Sequence, residues 1–306
     1  MSEELLSISV ITPSFQQGAF IQQTIDSVLT QLPSKSDYWV IDACSTDSTL
    51  NVLSSTKNDQ FHYCSEPDKG QADAFNKGVK NTKHPIIGWL NSDDIYYPGT
   101  IKTVLKYFQE HPKVDIVYGL AWHIDEANKK LNPYPVIPWH DSIIKQRCFI
   151  SQPAVFFRRH VFEMAGLLDI SEQFCLDYEF WVRAKQAGCQ FAFIPKVLAA
   201  TRVHPATKTT NNADDCHLGS IEMIHQKYGY VSLGWALSYG LLKNKSEKQK
   251  PARYLKSIKA TVQTLWKYNG FLLGSWRLIA DLPILVYDKW LIHDNRKLYN
   301  RDHQSI

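Results

Sequence analysis

Between residues 7 and 118 the chain alternates β-branched runs with stretches of helical periodicity, and nothing else in the sequence narrows its fold as much. Ser7–Thr12, Tyr38–Asp42, Phe61–Cys64, Pro85–Leu90 and Val114–Tyr118 read as strands. Between them, Ile21, Ile25, Val28 and Leu29 recur at helical spacing before Pro33, and Leu50 and Leu53 mark a second helix. Helices over Ala72 to Asn81 and from about Thr100 to Glu110 complete the series. Consecutive strands joined through helices must run parallel, so the expectation is an α/β fold: a mostly parallel sheet with helices on both faces.

In open sheets of this kind, ligands sit beyond the carboxyl ends of the strands. Four ends bring polar residues there: Thr12-Pro13-Ser14, Asp42, Glu66-Pro67-Asp68 and Asn91-Ser92-Asp93. The last belongs to Gly88-Trp89-Leu90-Asn91-Ser92-Asp93-Asp94, an apolar strand that stops abruptly in acids and amides. Crowded carboxylates are usually neutralised by a hard cation such as Mg²⁺ or Mn²⁺, shared with a phosphate. The plain alternative is an Asx turn bonded only to local backbone. Ser45 or Asp47 reads as the cap of the second helix. Neither G-x-G-x-x-G nor G-x-x-x-x-G-K-[ST] occurs, so a bound nucleotide would have its phosphates held by metal rather than by a glycine cradle.

Charge is uneven over the 306 residues: 1–204 hold 19 Lys and Arg against 22 Asp and Glu, while 205–306 hold 15 against 8. An acidic body repels a nucleic-acid backbone, whereas a basic tail suits an anionic membrane face. Cys44, Cys64, Cys148, Cys175, Cys189 and Cys216 form no C-x-x-C pair and read as reduced thiols. Met1-Ser2-Glu3-Glu4 is no signal-peptide start and no run of 18 uncharged apolar residues exists, so a cytoplasmic protein is expected, peripheral at most on the inner face of the plasma membrane.

Residues 122–147, broken by Pro133, Pro135 and Pro138, read as irregular, with extra edge strands and one wall of an acceptor cleft. Regular structure resumes over Ile150–Phe157, followed by a short helix around His160 to Gly166. Asp177 then falls at or near a helix N-terminus, where it is either a cap or a rigidly held general base; without further context the cap is favoured. From Cys216 the chain reads as helices with a charged linker, Lys243–Lys250. Its last part, Phe271 to Ile292, is aromatic and aliphatic but interrupted by Arg277, Asp281, Pro283 and Asp288, which disfavours a span. These faces lie on a membrane interface, or pack on the rest of the chain or on a second subunit in a homo-oligomer.

Thr12-Pro13-Ser14-Phe15, the stretch from Val40 to Thr49, the stretch from Ser65 to Gly78 and Gly88–Asp94 together resemble glycosyltransferase family 2. The resemblance covers about 200 residues and implies a GT-A fold, a three-layer αβα sandwich, carrying an inverting transferase that uses nucleotide-diphosphate sugars, a UDP-sugar first among them, with Mn²⁺ or Mg²⁺. The acceptor would be a saccharide or a lipid-linked one, and nucleic acid is not a partner. A catalytic domain over 1–212 and a helical region over 213–306 follow.

By the same resemblance Asp93 is the metal carboxylate of the D-x-D position, Asn91 standing where the first acid is usual. Thr12, Pro13, Ser14, Asp42, Asp68, Asp73, Asn91 and Ser92 line the nucleotide; Ala43 replaces the second acid many relatives carry. Asp94, Gln152 and Trp181 fall to the donor or acceptor sugar, and Asp177 to the base, with Leu176 in place of a common Glu. Thr201-Arg202-Val203-His204-Pro205-Ala206-Thr207-Lys208-Thr209 resembles an R-x-H element that gives Arg202 and His204 to the diphosphate and His204 also to the metal. Extended alternation would set both on one side. Two competing readings are a sugar nucleotidyltransferase, whose arginine-rich first loop is missing here, and a non-catalytic nucleotide-sugar binding protein.

Overall fold

The structure is a computed structural model and describes residues 6–207 and 211–302. The acidic start, Met1–Glu4, and Lys208-Thr209 of the R-x-H stretch lie outside the described residues. One sheet of nine strands organises the fold. Strands β1 (Ile8–Ser14), β2 (Asp37–Asp42), β3 (Phe61–Ser65) and β4 (Ile86–Trp89) come first, interleaved with helices α1 (Ile21–Leu29), α2 (Thr49–Ser55) and α3 (Gln71–Asn81). After a two-residue β5 (Ile95–Tyr96) come α4 (Thr100–Glu110), β6 (Ile116–Ile124) and β7 (Lys130–Pro133). A 3-10 turn over Gln152–Ala154 leads to β8 (Val155–Arg158), then α5 (Val161–Met164), α6 (Leu176–Gln186) and β9 (Phe191–Arg202).

The sheet order is β3-β2-β1-β4-β8-β6-β9-β5, with β7 beside β6. The run β3-β2-β1-β4 is parallel throughout, as the crossover helices require. β8 enters antiparallel between β4 and β6, and β6 and β9 pair in parallel from Ile116↔Phe191 to Ile124↔Arg202. The fold is α/β with helices packed on the sheet, as the alternation demands. α1 buries Ile21, Thr24, Ile25 and Val28, one helical face, onto Ile8, Val10 and Val40 of the strands. Each such aliphatic side chain contributes roughly 1.5–3 kcal/mol when fully buried. α3 lies so close to β1 that a Cβ on Gly78 would stand 2.3 Å from Ile11 Cγ2.

Two local readings change. β6 does not stop at Tyr118 but runs to Ile124, because β9, a strand the pattern did not announce, pairs along its whole length. Residues 122–124 are therefore sheet rather than loop. The regular structure expected over 150–157 divides into a 3-10 turn at Gln152–Ala154, with Pro153 in its first turn, and β8. All six cysteines are free thiols, as expected.

The chain divides into two compact units, one within 1–138, 150–204 and 296–306, the other within 139–149 and 205–295. The first contains the sheet. It also takes in Tyr299, whose hydroxyl accepts from the Ala121 amide at 3.2 Å and can donate to the Tyr134 carbonyl at 2.7 Å. The second is helical: α7 (Ala213–Tyr228), α8 (Leu233–Lys243), α9 (Lys250–Ala280, kinked at Gly270) and the start of α10 (Leu282–Asp302). Two of its acids face inward. Arg147 grips both oxygens of Asp288 at 2.7 Å, and Asp281 accepts the Leu233 amide at 2.8 Å with Arg277 beside it.

Candidate active site

β4 ends at Trp89, and the next residues turn away as Asn91–Asp94, closed by the Asp94 amide on the Asn91 carbonyl. Thr24 Oγ1 of α1 reaches the carbonyls of Ser92 and Asp94 at 2.9 and 2.8 Å, which fixes the turn from below. Asp94 points inward and is buried, its Oδ1 accepting the Arg202 amide at 2.8 Å. Burial, with Asp93 next to it, raises the Asp94 pKa well above the usual aspartate value. It therefore does not face a sugar, contrary to the expectation from its position. Ser92 is likewise buried and contributes a carbonyl to the turn.

Arg202 also departs from expectation. Its guanidinium is wholly buried, donating to the carbonyls of Asp93 at 2.8 Å, Asp125 at 3.0 Å and Glu126 at 3.2 Å and to Gln23 Oε1 at 3.0 Å. So many donors committed to carbonyl and amide oxygens leave it positioning the Asp93 turn rather than meeting a diphosphate. Phe20, which carries no functional signal in the sequence, lies under both residues, 4.9 Å from the Arg202 guanidinium carbon and 4.8 Å from the His204 ring.

Asp93 itself stays partly exposed, and His204 Nε2 faces its Oδ2 at 3.1 Å. Two ligands on adjacent corners of an octahedron with bonds of about 2.1 Å stand about 3.0 Å apart. Asp93 and His204 are therefore close enough that the pair would be able to hold one divalent cation such as Mn²⁺ between them. Among the described residues no group of three or more His, Cys, Asp or Glu gathers for a metal, so the protein's own contribution would be this pair. Asn91, where an acid is usual, is instead held by Gln71 Nε2 at 2.6 Å.

The β1, β2 and β3 ends form the adjoining floor. Thr12 is wholly buried against Tyr38 OH at 3.0 Å, Pro13 is buried, and Ser14 Oγ is buried without a partner among the described residues. Asp42 is buried too. Ser45 donates its amide at 2.9 Å and its hydroxyl at 2.5 Å, and Ser65 its hydroxyl at 2.7 Å, to the Asp42 carboxylate. Thr12 and Asp42 thus build the floor and do not line the nucleotide directly, while Asp47, not Ser45, serves α2 by accepting the Thr49 amide at 3.0 Å. Asp68 and Asp73 remain partly open at the start of α3, accepting the Gly70 and Lys69 amides at 2.8 and 3.0 Å. Partial burial raises the Asp68 pKa. Gly70 has φ of 110°, which favours glycine at this entry to the helix.

On the far side of Trp89, Gln152 donates to the Trp89 carbonyl at 2.9 Å, and the Trp181 ring lies 6.3 Å from that of Trp89. Gln152 Oε1 and Trp181 Nε1 have no hydrogen-bond partner among the described residues. Asp177 precedes Trp181 by four residues, one turn along the same face of α6. Burial raises its pKa, opposed by the amides of Tyr178 and Asp177 itself. Asp177 lies in the first turn of α6 rather than at its N-cap, which is Cys175, and its carboxylate meets the amides of this helix start as a capping acid does. The loop before α6 is anchored twice: Asn76 of α3 exchanges two hydrogen bonds with the Leu168 backbone at 2.9 and 3.0 Å, and Arg183, paired with Glu179, holds the carbonyls of Ala165 and Leu167.

Residues 9–166, just over half the chain, match the family Glycosyl transferase family 2. An uncharacterized glycosyltransferase of Rickettsia typhi is 26% identical over 220 residues, 67% of this chain; the match spans 66% of that relative, just under two thirds of its length. Among solved structures, S. aureus TarS 1–349 in complex with UDP-GlcNAc is similar with a TM-score of 0.60 at 16% identity, over 98% of this chain and 92% of that one. The mannosyltransferase PcManGT from Pyrobaculum calidifontis, in complex with GDP-Man and Mn²⁺, gives 0.55 at 14% identity, over 98% and 87%. With a parallel-edged sheet of the GT-A kind, an acidic turn at the end of β4 and this match, the chain belongs to glycosyl transferase family 2.

Proposed function

We propose that the protein is an inverting glycosyltransferase that moves a sugar from a nucleotide-diphosphate donor, a UDP-sugar first, to a hydroxyl of a saccharide or lipid-linked acceptor. The observation that carries the proposal is a convergence at one strand end. The Asp93–His204 pair follows β4, and α6, which carries Asp177, packs its Trp181 against Trp89 of β4. That TarS was solved with UDP-GlcNAc and PcManGT with GDP-Man and Mn²⁺ supports a nucleotide-sugar donor and a divalent ion.

In this reading Asp93 and His204 hold Mn²⁺ or Mg²⁺, which when bound supplies positive charge to the departing diphosphate. Asp68 and Asp73 border the nucleoside, over the floor built by Thr12 and Asp42. Gln152 Oε1, unpartnered among the described residues, is left for a sugar hydroxyl, whereas Trp181 is wholly buried against Trp89, Phe157 and Phe180 and does not face the sugar, contrary to the expectation from its position. Asp177 takes the acceptor proton as the acceptor oxygen bonds to the anomeric carbon and the bond from that carbon to the diphosphate oxygen breaks. A raised pKa makes its carboxylate a stronger base. One displacement inverts the anomeric centre with no covalent enzyme intermediate.

The test is a donor panel of UDP- and GDP-sugars with Mn²⁺, read by nucleoside-diphosphate release and by anomeric proton NMR of the product. The expected result is one preferred donor and an inverted linkage; pyrophosphate release, or retention at the anomeric carbon, overturns the proposal. Separately, Mn²⁺ should enlarge the thermal shift that UDP produces, and Asp93→Ala should remove that enlargement.

A further inference from the structure

The second unit carries an exposed stripe that the transfer reading does not use. Leu272, Trp276, Ile279, Leu282, Val286 and Trp290 follow one another at intervals of three or four residues across the end of α9 and the start of α10. None is a marginal exposure: Leu272 is 83% exposed, Val286 68% and Trp276 61%. Isolated exposed leucines are ordinary, but a continuous aromatic and aliphatic stripe of this length marks an interaction surface.

Charge identifies what the stripe fits. Of the three acids between residues 250 and 295, Asp281 and Asp288 are turned inward onto Arg277 and Arg147, leaving only Asp294 exposed. Lys250, Lys259, Lys267 and Lys289 are all exposed over the same stretch. The acids that interrupt the apolar run in the sequence are thus turned away from solvent, which leaves exposed apolar residues and exposed lysines in the same stretch. A second copy of the chain would bring two sets of these lysines together, since a two-fold interface pairs each patch with itself. An anionic lipid surface instead accepts the apolar side chains below its headgroups and the lysines among them, with tryptophans at the boundary. Among the described residues no single helix is long and apolar enough to cross a bilayer; α9 and α10 pass such a test only together, bent by 41°. A bent amphipathic pair suits lying in the interface rather than spanning it.

We infer that the outward face of residues 250–295 docks the protein on an anionic lipid bilayer. This stands independently of the sugar-transfer reading, because neither the stripe nor its lysines include any residue assigned to the active site. The full chain should co-sediment with phosphatidylcholine vesicles containing phosphatidylglycerol, and bind pure phosphatidylcholine vesicles, or the mixed ones in high salt, about tenfold more weakly. Leu272→Glu with Val286→Glu, on an outer face where folding is not at stake, should abolish sedimentation with an unchanged circular dichroism spectrum. In the unsubstituted protein, brominated lipid should quench tryptophan fluorescence, and Trp276→Phe with Trp290→Phe should remove most of that quenching. No binding of the unsubstituted chain to anionic vesicles overturns the inference. So does full binding by the glutamate variant, or a stable dimer that hides the stripe and ignores vesicles.

Discussion

Asp177 and Asp94 are both aspartates whose pKa burial raises, yet they face opposite demands. Asp177 must be ionised to accept a proton, so Asp177→Asn should lower kcat by about 10²–10⁴-fold. Donor affinity measured by calorimetry should stay within about twofold of the original, since in the proposed reaction this carboxylate serves the acceptor hydroxyl and not the nucleotide. Because its pKa lies above the ordinary aspartate value, the acid limb of kcat/KM should appear at higher pH than a solvated aspartate would give, which a pH–rate profile reads directly. Asp94 has the structural task of receiving the Arg202 amide. Asp94→Ala leaves that amide unpaired and should cost about 1–3 kcal/mol. Asp94→Asn keeps an acceptor oxygen and drops the repulsion with Asp93. The sign with pH follows: a carboxyl whose folded pKa exceeds its unfolded one takes up a proton on folding, so its stabilising effect is lost as pH rises. Chemical melts should therefore show Asp94→Asn gaining on the original protein from acid to neutral pH.

At the scale of elements, the loop leading into α6 depends on α3. Asn76→Ala removes both bonds to the Leu168 backbone and should lower stability by about 2 kcal/mol, measurable by urea melts. Reduced kcat should accompany it, because the same loop sets the approach to Asp177. Such dependence on partners near or far separates what is legible in the sequence from what is not. Strands β1 and β4, buried at every position, are readable as near-continuous apolar runs, and helices α1, α3 and α4 because each buries one face, so the helical period survives in the residue order. The strand ends with Asp68, Asp73 and Asp93 follow from that pattern. What is not legible is settled by distant partners. β9 and the upper half of β6 pair across about 75 residues of chain, a separation no local window contains. Whether Asp42, Asp94 and Arg202 face a ligand or the interior is decided in large part by Ser65 on Asp42, the Arg202 amide on Asp94, and the Asp125 and Glu126 carbonyls on Arg202, and residue type alone carries no record of those partners.

For the molecule as a whole, the sheet's unit is built from three separated stretches of chain. Tyr299 fastens the last of them. Its hydroxyl bridges Ala121 and Tyr134, its ring packs edge-on against Trp122 at 5.2 Å, and burial raises its pKa. Tyr299→Phe strands the buried Ala121 amide and should cost about 1–3 kcal/mol in a thermal or urea melt, with the ring packing retained. Tyr299→Ala, which also removes the ring, should cost more, and a loss equal to that of Tyr299→Phe would show that the hydroxyl accounts for the whole anchor. During synthesis the arrangement has a further outcome. A nascent chain that has cleared the ribosome through β9 still lacks this hydroxyl, so the Ala121 amide and the Tyr134 carbonyl gain that partner only once residue 299 emerges.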